Sequence, residues 1–380
     1  MLQILSASLR IPKEMFMRQN RPVPFKITSL DSLGQGVSKI GERITFIPKT
    51  LPGEEGEAII HSEKKGVAFA TLSSLTQKSP ARIQPACPHF SNCPSCHFLH
   101  TSYEQEIMSK RENFLKLFRN LPLPELHIVP APERLGYRNR IQLHYDTKAR
   151  KLGMLNPRSS EIIPIPSCLI GEKRVQAKLK DLYHGDQWLN FVPKNSFRGH
   201  VEIYQKEHET ILSWNQEYAS GGFTQVYQEM NNLLQIELAQ WFGSENQAVL
   251  DLFAGNGNLT NSLPYSSRLC IDLYTELKSS EFISLSLYDK NALNLVTAQM
   301  KKKQFLAEAL ILDPPRSGLN NLAEWLEEIQ PRRVAYVSCD PHTMVRDLQK
   351  ISGYHQTRAV LLDFFPSTFH FESLIFLERK

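Results

Sequence analysis

No apolar run in these 380 residues approaches the ~20 needed for a helix to cross a bilayer, so a helical membrane protein is not expected. Residues 1–8 are mildly apolar, but Arg10, Lys13 and Glu14 follow with no convincing cleavage site. No signal peptide is read, and a cytoplasmic protein is expected. Repeats and low-complexity stretches are also absent. Cysteine is scarce, at six residues, and a cytosolic chain is not expected to hold them as disulfides. The net charge is a modest +5.

What is present has the composition of a soluble globular protein, 41% hydrophobic and 22% charged. The length exceeds one ordinary core, so two or three domains are expected. The charge is unevenly spread: residues 1–150 hold 21 Lys+Arg against 13 Asp+Glu, and the remainder 23 against 26. A basic front end suggests polyanion binding, although chance asymmetry would look the same.

Residues 1–20 read as a poorly ordered tail. From there to residue 80, period-two alternation with Gly/Pro punctuation marks strands over Pro24–Leu30, Gly36–Ile40, Arg43–Pro48, Gly56–His61 and Gly66–Leu75. Five short strands predict a small barrel of the OB-like kind. Lys26, Lys39, Arg43, Lys49, Lys64 and Lys65 would suit a nucleic-acid groove or could simply keep the surface soluble. Residues 81–215 read as an α+β insert, with a helix over Tyr103–Phe118 and alternating Ile141, Leu143 and Tyr145. Beyond residue 216 helical and strand segments alternate. That rhythm predicts an α/β domain with a parallel sheet covered on both faces.

Cys87, Cys93 and Cys96 form C-x5-C-x2-C, and Cys168 follows alone. Four thiols suit an iron–sulfur cluster or a structural zinc ion, and spacing hardly separates the two. Either would tie the loop at 87–96 to the region of Cys168.

The run Val249-Leu250-Asp251-Leu252-Phe253-Ala254-Gly255-Asn256-Gly257-Asn258 carries a strand into a glycine turn. Glycine lets backbone approach a ligand at the first strand's carboxyl end, and Asp272 ends the next strand where an acid can bind a ribose diol. A dehydrogenase would use the same geometry, but Thr260 stands where the dinucleotide fingerprint wants glycine. Asp313-Pro314-Pro315-Arg316 resembles the acidic-Pro-Pro motif of methyltransferases acting on nucleobases.

Val337-Ser338-Cys339-Asp340-Pro341 sets Cys339 just past a strand's carboxyl end, where open α/β sheets build their sites. A thiolate is useful in pyrimidine chemistry: adding to C6 of uracil, it makes C5 enolate-like and able to attack a methyl sulfonium. A base must then remove the C5 proton, and Phe369-His370-Phe371-Glu372 offers an imidazole and a carboxylate.

Together these motifs resemble the uracil-C5 RNA methyltransferase family over nearly the whole chain. The resemblance implies a C-terminal Rossmann-like methyltransferase domain using S-adenosylmethionine (216–380), an OB-like TRAM barrel (21–80) and a central α+β iron–sulfur insert (81–215). It implies Cys339 as nucleophile and Glu372 as base. Gln225, Phe253, Asn258, Asp272, Asp289 and Asp313 would contact the cofactor, and Cys87, Cys93, Cys96 and Cys168 would hold a [4Fe–4S] cluster. Arg138 and Arg140 would meet RNA, with 23S ribosomal RNA favoured and transfer RNA or a catalytically silent RNA-binding role as alternatives, and the protein would act as a monomer without a membrane. Two departures stand out: Tyr227 occupies a usual asparagine position, and only nine residues separate Asp272 from Phe282. A βαβ crossover normally needs at least about 10–12, so a helix there should be reduced or lost.

Overall fold

The computed structural model describes residues 21–156, 159–207, 209–217, 225–243, 247–275 and 277–380. The expected tail, 1–20, lies outside them. The chain divides into two compact units between Arg82 and Ile83.

The first unit is a curled six-stranded sheet of β1 (Val23–Lys26), β2 (Ser29–Leu30), β3 (Gln35–Ile40), β4 (Arg43–Pro48), β5 (Glu55–Lys64) and β6 (Val67–Gln77). Their spatial order is β1-β5-β6-β4-β3-β2. The expected first strand is two, because the chain changes partner within it. The Ile27 amide donates to Glu54 O and the Thr28 amide to Val37 O, both at 2.9 Å. One bent stretch therefore serves β5 at one end and β3 at the other, which curls the sheet around Phe25, Ile27, Ile47, Ala58 and Ala70. Gly36 permits this closeness: a Cβ there would lie 2.0 Å from Thr50 Oγ1. Three of the basic residues expected to line a groove are paired with acids, Lys26 with Glu55, Lys39 with Glu42 and Arg43 with Glu63. Such exposed pairs are weak and leave the lysines and arginine free to exchange partners.

The second unit opens with a cysteine-bearing loop, α1 (Tyr103–Phe118) and β7 (Leu126–Val129). There follow β8 (Arg140–Asp146), β9 (Lys151–Leu155), β10 (Ile162–Pro164), α2 (Lys173–Tyr183), β11 (Arg198–Lys206) and β12 (Glu209–Trp214). The remainder is α3 (Gln228–Phe242), β13 (Gln247–Leu252), β14 (Tyr265–Asp272), β15 (Phe282–Ser284), α4 (Ala292–Lys302) and β16 (Ala309–Leu312), then α5 (Leu322–Ile329), β17 (Arg333–Ser338), α6 (Pro341–Leu348), β18 (Tyr354–Leu362) and β19 (Glu372–Arg379).

Strands β8 to β12 form an antiparallel sheet in the order β10-β9-β8-β11-β12. The alternating Ile141, Leu143 and Tyr145 of β8 pack with Val175, Leu179 and Leu182 of α2. The other eight strands make one sheet, β15-β14-β13-β16-β17-β19-β18-β7. Its first five strands are parallel, and β19 runs antiparallel to both neighbours. Leu250, Leu252, Leu310 and Leu312 face one core, and Val249 and Ile311 the other. Burial on both faces explains why these strands read as unbroken apolar runs.

Two differences from the sequence expectation follow from packing. Segment 81–215, expected as a separate insert, contributes to the large sheet: β7 pairs with β18 and covers that edge. Phe114 and Phe118 of α1 join a core of the large sheet, with the Phe114 ring 6.0 Å from that of Phe371. Helices are also fewer than the alternating rhythm suggests. Among the described residues, the connections β13–β14 and β14–β15 are turns without helix, as the short spacing after Asp272 requires.

Candidate active site

The chain leaves β13 for β14 on one side of the sheet and returns through β16 on the other. At that reversal the carboxyl ends of neighbouring strands open a crevice. Its first half is shaped by backbone. Phe253 adopts φ +63°, and its amide and that of Ala254 donate to the Ile271 carbonyl at 2.9 and 3.2 Å. Gly255 follows at φ +54°, and a Cβ there would meet nothing within 4 Å, so the turn faces open space. Asp272 accepts the Gly255 amide through Oδ2 at 2.8 Å and the Tyr274 amide through Oδ1 at 2.7 Å.

The remaining residues expected to hold a cofactor divide into engaged and unengaged. The Asn258 amide exchanges two hydrogen bonds with Asn231 of α3, at 2.8 and 3.1 Å, and so pins the turn to that helix. Gln225 receives Asn139 on its carbonyl at 3.1 Å, while its side-chain Oε1 is buried with no hydrogen-bond partner among the described residues. Asp289 is exposed, and its carbonyl accepts the Ala292 amide at the start of α4. Its neighbour Tyr288, which sequence reasoning missed, lies with its ring 5.5 Å from that of Phe253. The Tyr288 hydroxyl reaches Ser317 Oγ at 2.8 Å. A lone aromatic before a helix carries no signal that could have singled it out.

The second half gathers the chemistry. Asp313 follows β16, its amide donating to Leu252 O at 3.3 Å. The loop after it is fixed by Arg346 Nη2 on the Ser317 carbonyl at 2.7 Å and by Asp347 Oδ2, which accepts the Leu319 amide and the Tyr336 hydroxyl at 2.8 Å. Beyond β17, Ser338 Oγ accepts the Asp340 amide at 3.1 Å. Asp340 caps α6 by accepting the His342 amide at 3.0 Å, with Pro341 in the first turn. Cys339 is thereby held between a strand end and a helix start. Ser338, just before Cys339, pairs with Ser373, just after Glu372, in antiparallel register, so the strand ends that carry the two side chains are neighbours.

The charges confirm how closely these groups are gathered. Burial pushes the Cys339 thiol up to about 12, the negative charges of Glu372 and Asp313 add to it, and the Arg316 guanidinium opposes them. Burial raises the Glu372 carboxyl well above its ordinary value, with Asp313 adding and Arg316 again opposing. Asp313 is itself pushed up to about 7 by burial. The His370 imidazole is driven down to about 4, by burial first and then by Arg316, Lys110 and Arg138. Glu372 is only 4% exposed, and its Oε2 has no hydrogen-bond partner among the described residues. Burial and neighbouring negative charge therefore both favour the protonated forms of the thiol and the carboxyl in the free site.

Arg138 reaches this cluster through its charge, but Arg140 does not. Arg140 is 6% exposed, bonded to Glu202 at 2.7 Å and set over the Tyr204 ring. It belongs to the antiparallel sheet rather than to an exposed RNA surface.

The four expected metal ligands share one neighbourhood. Cys93 and Cys96 are buried, Cys87 and Cys168 half-buried, and all are free thiols. His89 Nε2 lies 3.1 Å from Ser167 Oγ, joining the two segments that carry them. The Cys96 thiol is raised by burial and then by the charges of Cys93, Cys168 and Cys87. Yet among the described residues no group of three or more His, Cys, Asp or Glu is placed to hold a metal ion. The donors are collected without being closed on a centre.

Comparison with known proteins adds the following. A family model described as tRNA (uracil-5-)-methyltransferase matches residues 276–380. The 23S rRNA (uracil(1939)-C(5))-methyltransferase RlmD of Shewanella woodyi is 28% identical, over 94% of this chain and 96% of that protein. RlmD of Salmonella typhimurium is 28% identical over the full length of both. Among solved structures, the Pyrococcus abyssi tRNA (uracil-54, C5)-methyltransferase in complex with S-adenosyl-L-homocysteine superposes with a TM-score of 0.67. That match has 17% identity and covers 93% of this chain and 100% of the other, which establishes a shared α/β fold.

Proposed function

We propose that this chain, related along nearly its whole length to uracil-C5 methyltransferases of RNA, methylates carbon 5 of a uridine in RNA with S-adenosylmethionine as donor. The observation that carries the reading is the antiparallel pairing of Ser338 with Ser373, which makes neighbours of the strand ends bearing Cys339 and Glu372, the latter with its buried Oε2 unpartnered among the described residues. A nucleophile and a base on opposite strands can serve the two edges of one flat ring, C6 and C5.

The first half of the crevice fits the donor. Asp272 keeps lone pairs for a ribose diol, Phe253 and Tyr288 offer aromatic surface, and the turn at Gly255 leaves room for a ligand. Gln225 Oε1, buried and without a partner among the described residues, suits the donor's amino group. Asn258 supports the turn from behind, and Asp289 stays at the rim. Bound there, S-adenosylmethionine supplies an electrophilic methyl group. The protein's own residues do the rest. Arg316 is the positive charge that opposes burial at Cys339 and would stabilise its thiolate, which adds to C6 once the thiol has lost its proton to solvent. Asp313, between the two halves, helps place the base, and the Glu372 carboxylate takes the C5 proton so that the thiolate can leave.

The full-length relatives named for 23S ribosomal RNA favour that substrate, and the fold neighbour named for transfer RNA supplies the alternative. The curled N-terminal sheet would act as the OB-like TRAM element that grips RNA. The four thiols, two buried and two half-buried, with Arg138 as nearby counter-charge, would hold a [4Fe–4S] cluster tying loop 87–96 to Cys168 only if they draw closer than they stand here. Anaerobically purified protein is expected to be brown with about four irons per chain; stoichiometric zinc without iron would overturn that assignment. The function is tested by incubating the protein and labelled S-adenosylmethionine with 23S ribosomal or transfer RNA. The digested product should contain 5-methyluridine, and 5-fluorouridine RNA should trap a covalent complex. Label on any other nucleoside, or on none, would sink the reading.

A further inference from the structure

Just before Glu372 the chain threads a buried cage of charges that the chemistry above does not use. Lys110 of α1 is 1% exposed. Its Nζ donates to Glu106 Oε1 at 2.8 Å, to Asp363 Oδ1 at 2.6 Å and to the Phe365 carbonyl at 3.2 Å. Glu106 Oε1 also accepts the Ser367 amide at 2.6 Å, and its other oxygen pairs with Arg134 at 2.9 Å. Asp363 Oδ2 accepts the Tyr103 hydroxyl at 2.7 Å. The Ser367 carbonyl in turn receives the amides of His97 and Phe98, at 2.7 and 3.1 Å. Ser367 is held at φ +70°, a conformation a non-glycine residue keeps only where its surroundings impose it.

Buried ion pairs are a weak source of net stability, because desolvation offsets their attraction. What this cage specifies is a path. Lys110, Asp363 and Glu106 all close on segment 363–367, which joins β18 to β19 and leads directly to His370 and Glu372. The Cys339 turn is held separately, by Ser338, Asp340 and the Thr343 hydroxyl on the Asp340 carbonyl. One half of the catalytic pair thus has an anchor that the other lacks.

We propose that the cage centred on Lys110 and Asp363 is a positioning device for the proton-abstracting arm. It sets where Glu372 and His370 stand against a base bound at Cys339 and takes no part in forming the thiol adduct. The proposal rests on the covalent reading given above and assigns the two steps to separately anchored segments.

The test is Lys110→Met, assayed with two RNAs. With 5-fluorouridine RNA, where the adduct forms but cannot be resolved, the variant should trap as fast as the wild type. With uridine RNA it should accumulate a methylated protein–RNA adduct, and release of product should fall about 10- to 100-fold, the range that a small misplacement of a reacting group produces. The KM for S-adenosylmethionine should not change, and Lys110→Arg should restore part of the release rate. Equal slowing with both RNAs, or wild-type release from a folded variant, would overturn the proposal. Should Lys110→Met not fold, Asp363→Asn keeps the shape and an acceptor for Tyr103 and carries the same expectations. Failure of both variants to fold would make the cage a stability element and overturn it as well. A wild-type protein that traps no 5-fluorouridine RNA would instead count against the covalent reading itself.

Discussion

At the carboxyl ends of β13 and β14 the turn is already braced: Asp272 accepts two backbone amides and Asn258 pairs with Asn231, while Gln225 Oε1, assigned to the same half, has no partner among the described residues. The ends of β16, β17 and β19 differ. Glu372 Oε2 is buried without a partner among the described residues, and Cys339, Asp313 and Glu372 are all shifted toward their protonated forms. The first half is a preformed shape in which backbone bonds fix the turn before any ligand arrives. The second stores unsatisfied groups, which is costly in a resting protein and useful only where protons and bonds must move. The two halves should therefore respond differently to substitution.

Cys339→Ala should break the comparison most sharply. Turnover should fall at least about 10⁴-fold, as it does when a nucleophile is lost, while binding of S-adenosylmethionine by calorimetry stays nearly unchanged. A parallel loss of cofactor affinity would mean that the halves are not separate.

Glu372→Gln comes next, with release of 5-methyluridine RNA slowed about 10²- to 10⁴-fold and a methylated adduct visible as a retarded band on a denaturing gel. The same variant should melt higher at neutral pH. The folded carboxyl titrates above its unfolded value, so its contribution to stability is present at acid pH and lost as pH rises through the folded value. A folded Gln variant that turns over normally would remove Glu372 from the mechanism and leave His370 as the candidate.

On the preformed side, Asp272→Asn should weaken S-adenosylmethionine by about 10-fold through loss of charge-assisted hydrogen bonds. At saturating cofactor, trapping on 5-fluorouridine RNA should proceed normally. Slow trapping even at saturation would show that Asp272 acts beyond cofactor binding.

The smallest effect on turnover is expected from Asp251→Asn. This carboxyl is 1% exposed inside β13, accepts Thr260 Oγ1 at 2.9 Å and is pushed up to about 7 by burial. The raised value means that the wild type loses stability, by at most roughly 4 kcal/mol, between pH about 4 and 8. The variant should show a flatter profile in denaturant titrations. An identical pH profile would show that Asp251 is not the buried acid responsible.

Legibility followed the range of the interactions. Glycine turns and the alternation of β8 are decided within a few residues, so each could be read directly. The expected loss of a helix after Asp272 was a matter of chain length. The split of the first strand was not legible, because nothing local marks where Ile27 and Thr28 change partners. Nor was the departure of Arg140 from the surface, which depends on Glu202, a residue 62 positions away.

By itself, then, the sequence determined the motif chemistry: which residue types sit at strand ends, four thiols in two segments, and an α/β rhythm beyond residue 216. Tertiary structure decided which of them meet. The antiparallel pairing of Ser338 with Ser373 brings the strand ends of Cys339 and Glu372 together, β18 draws β7 and α1 out of their expected insert, and Lys110 finds Asp363 across 253 positions of chain. These are contacts of high sequence separation whose partners are selected by burial and strand pairing, and no local pattern encodes that choice.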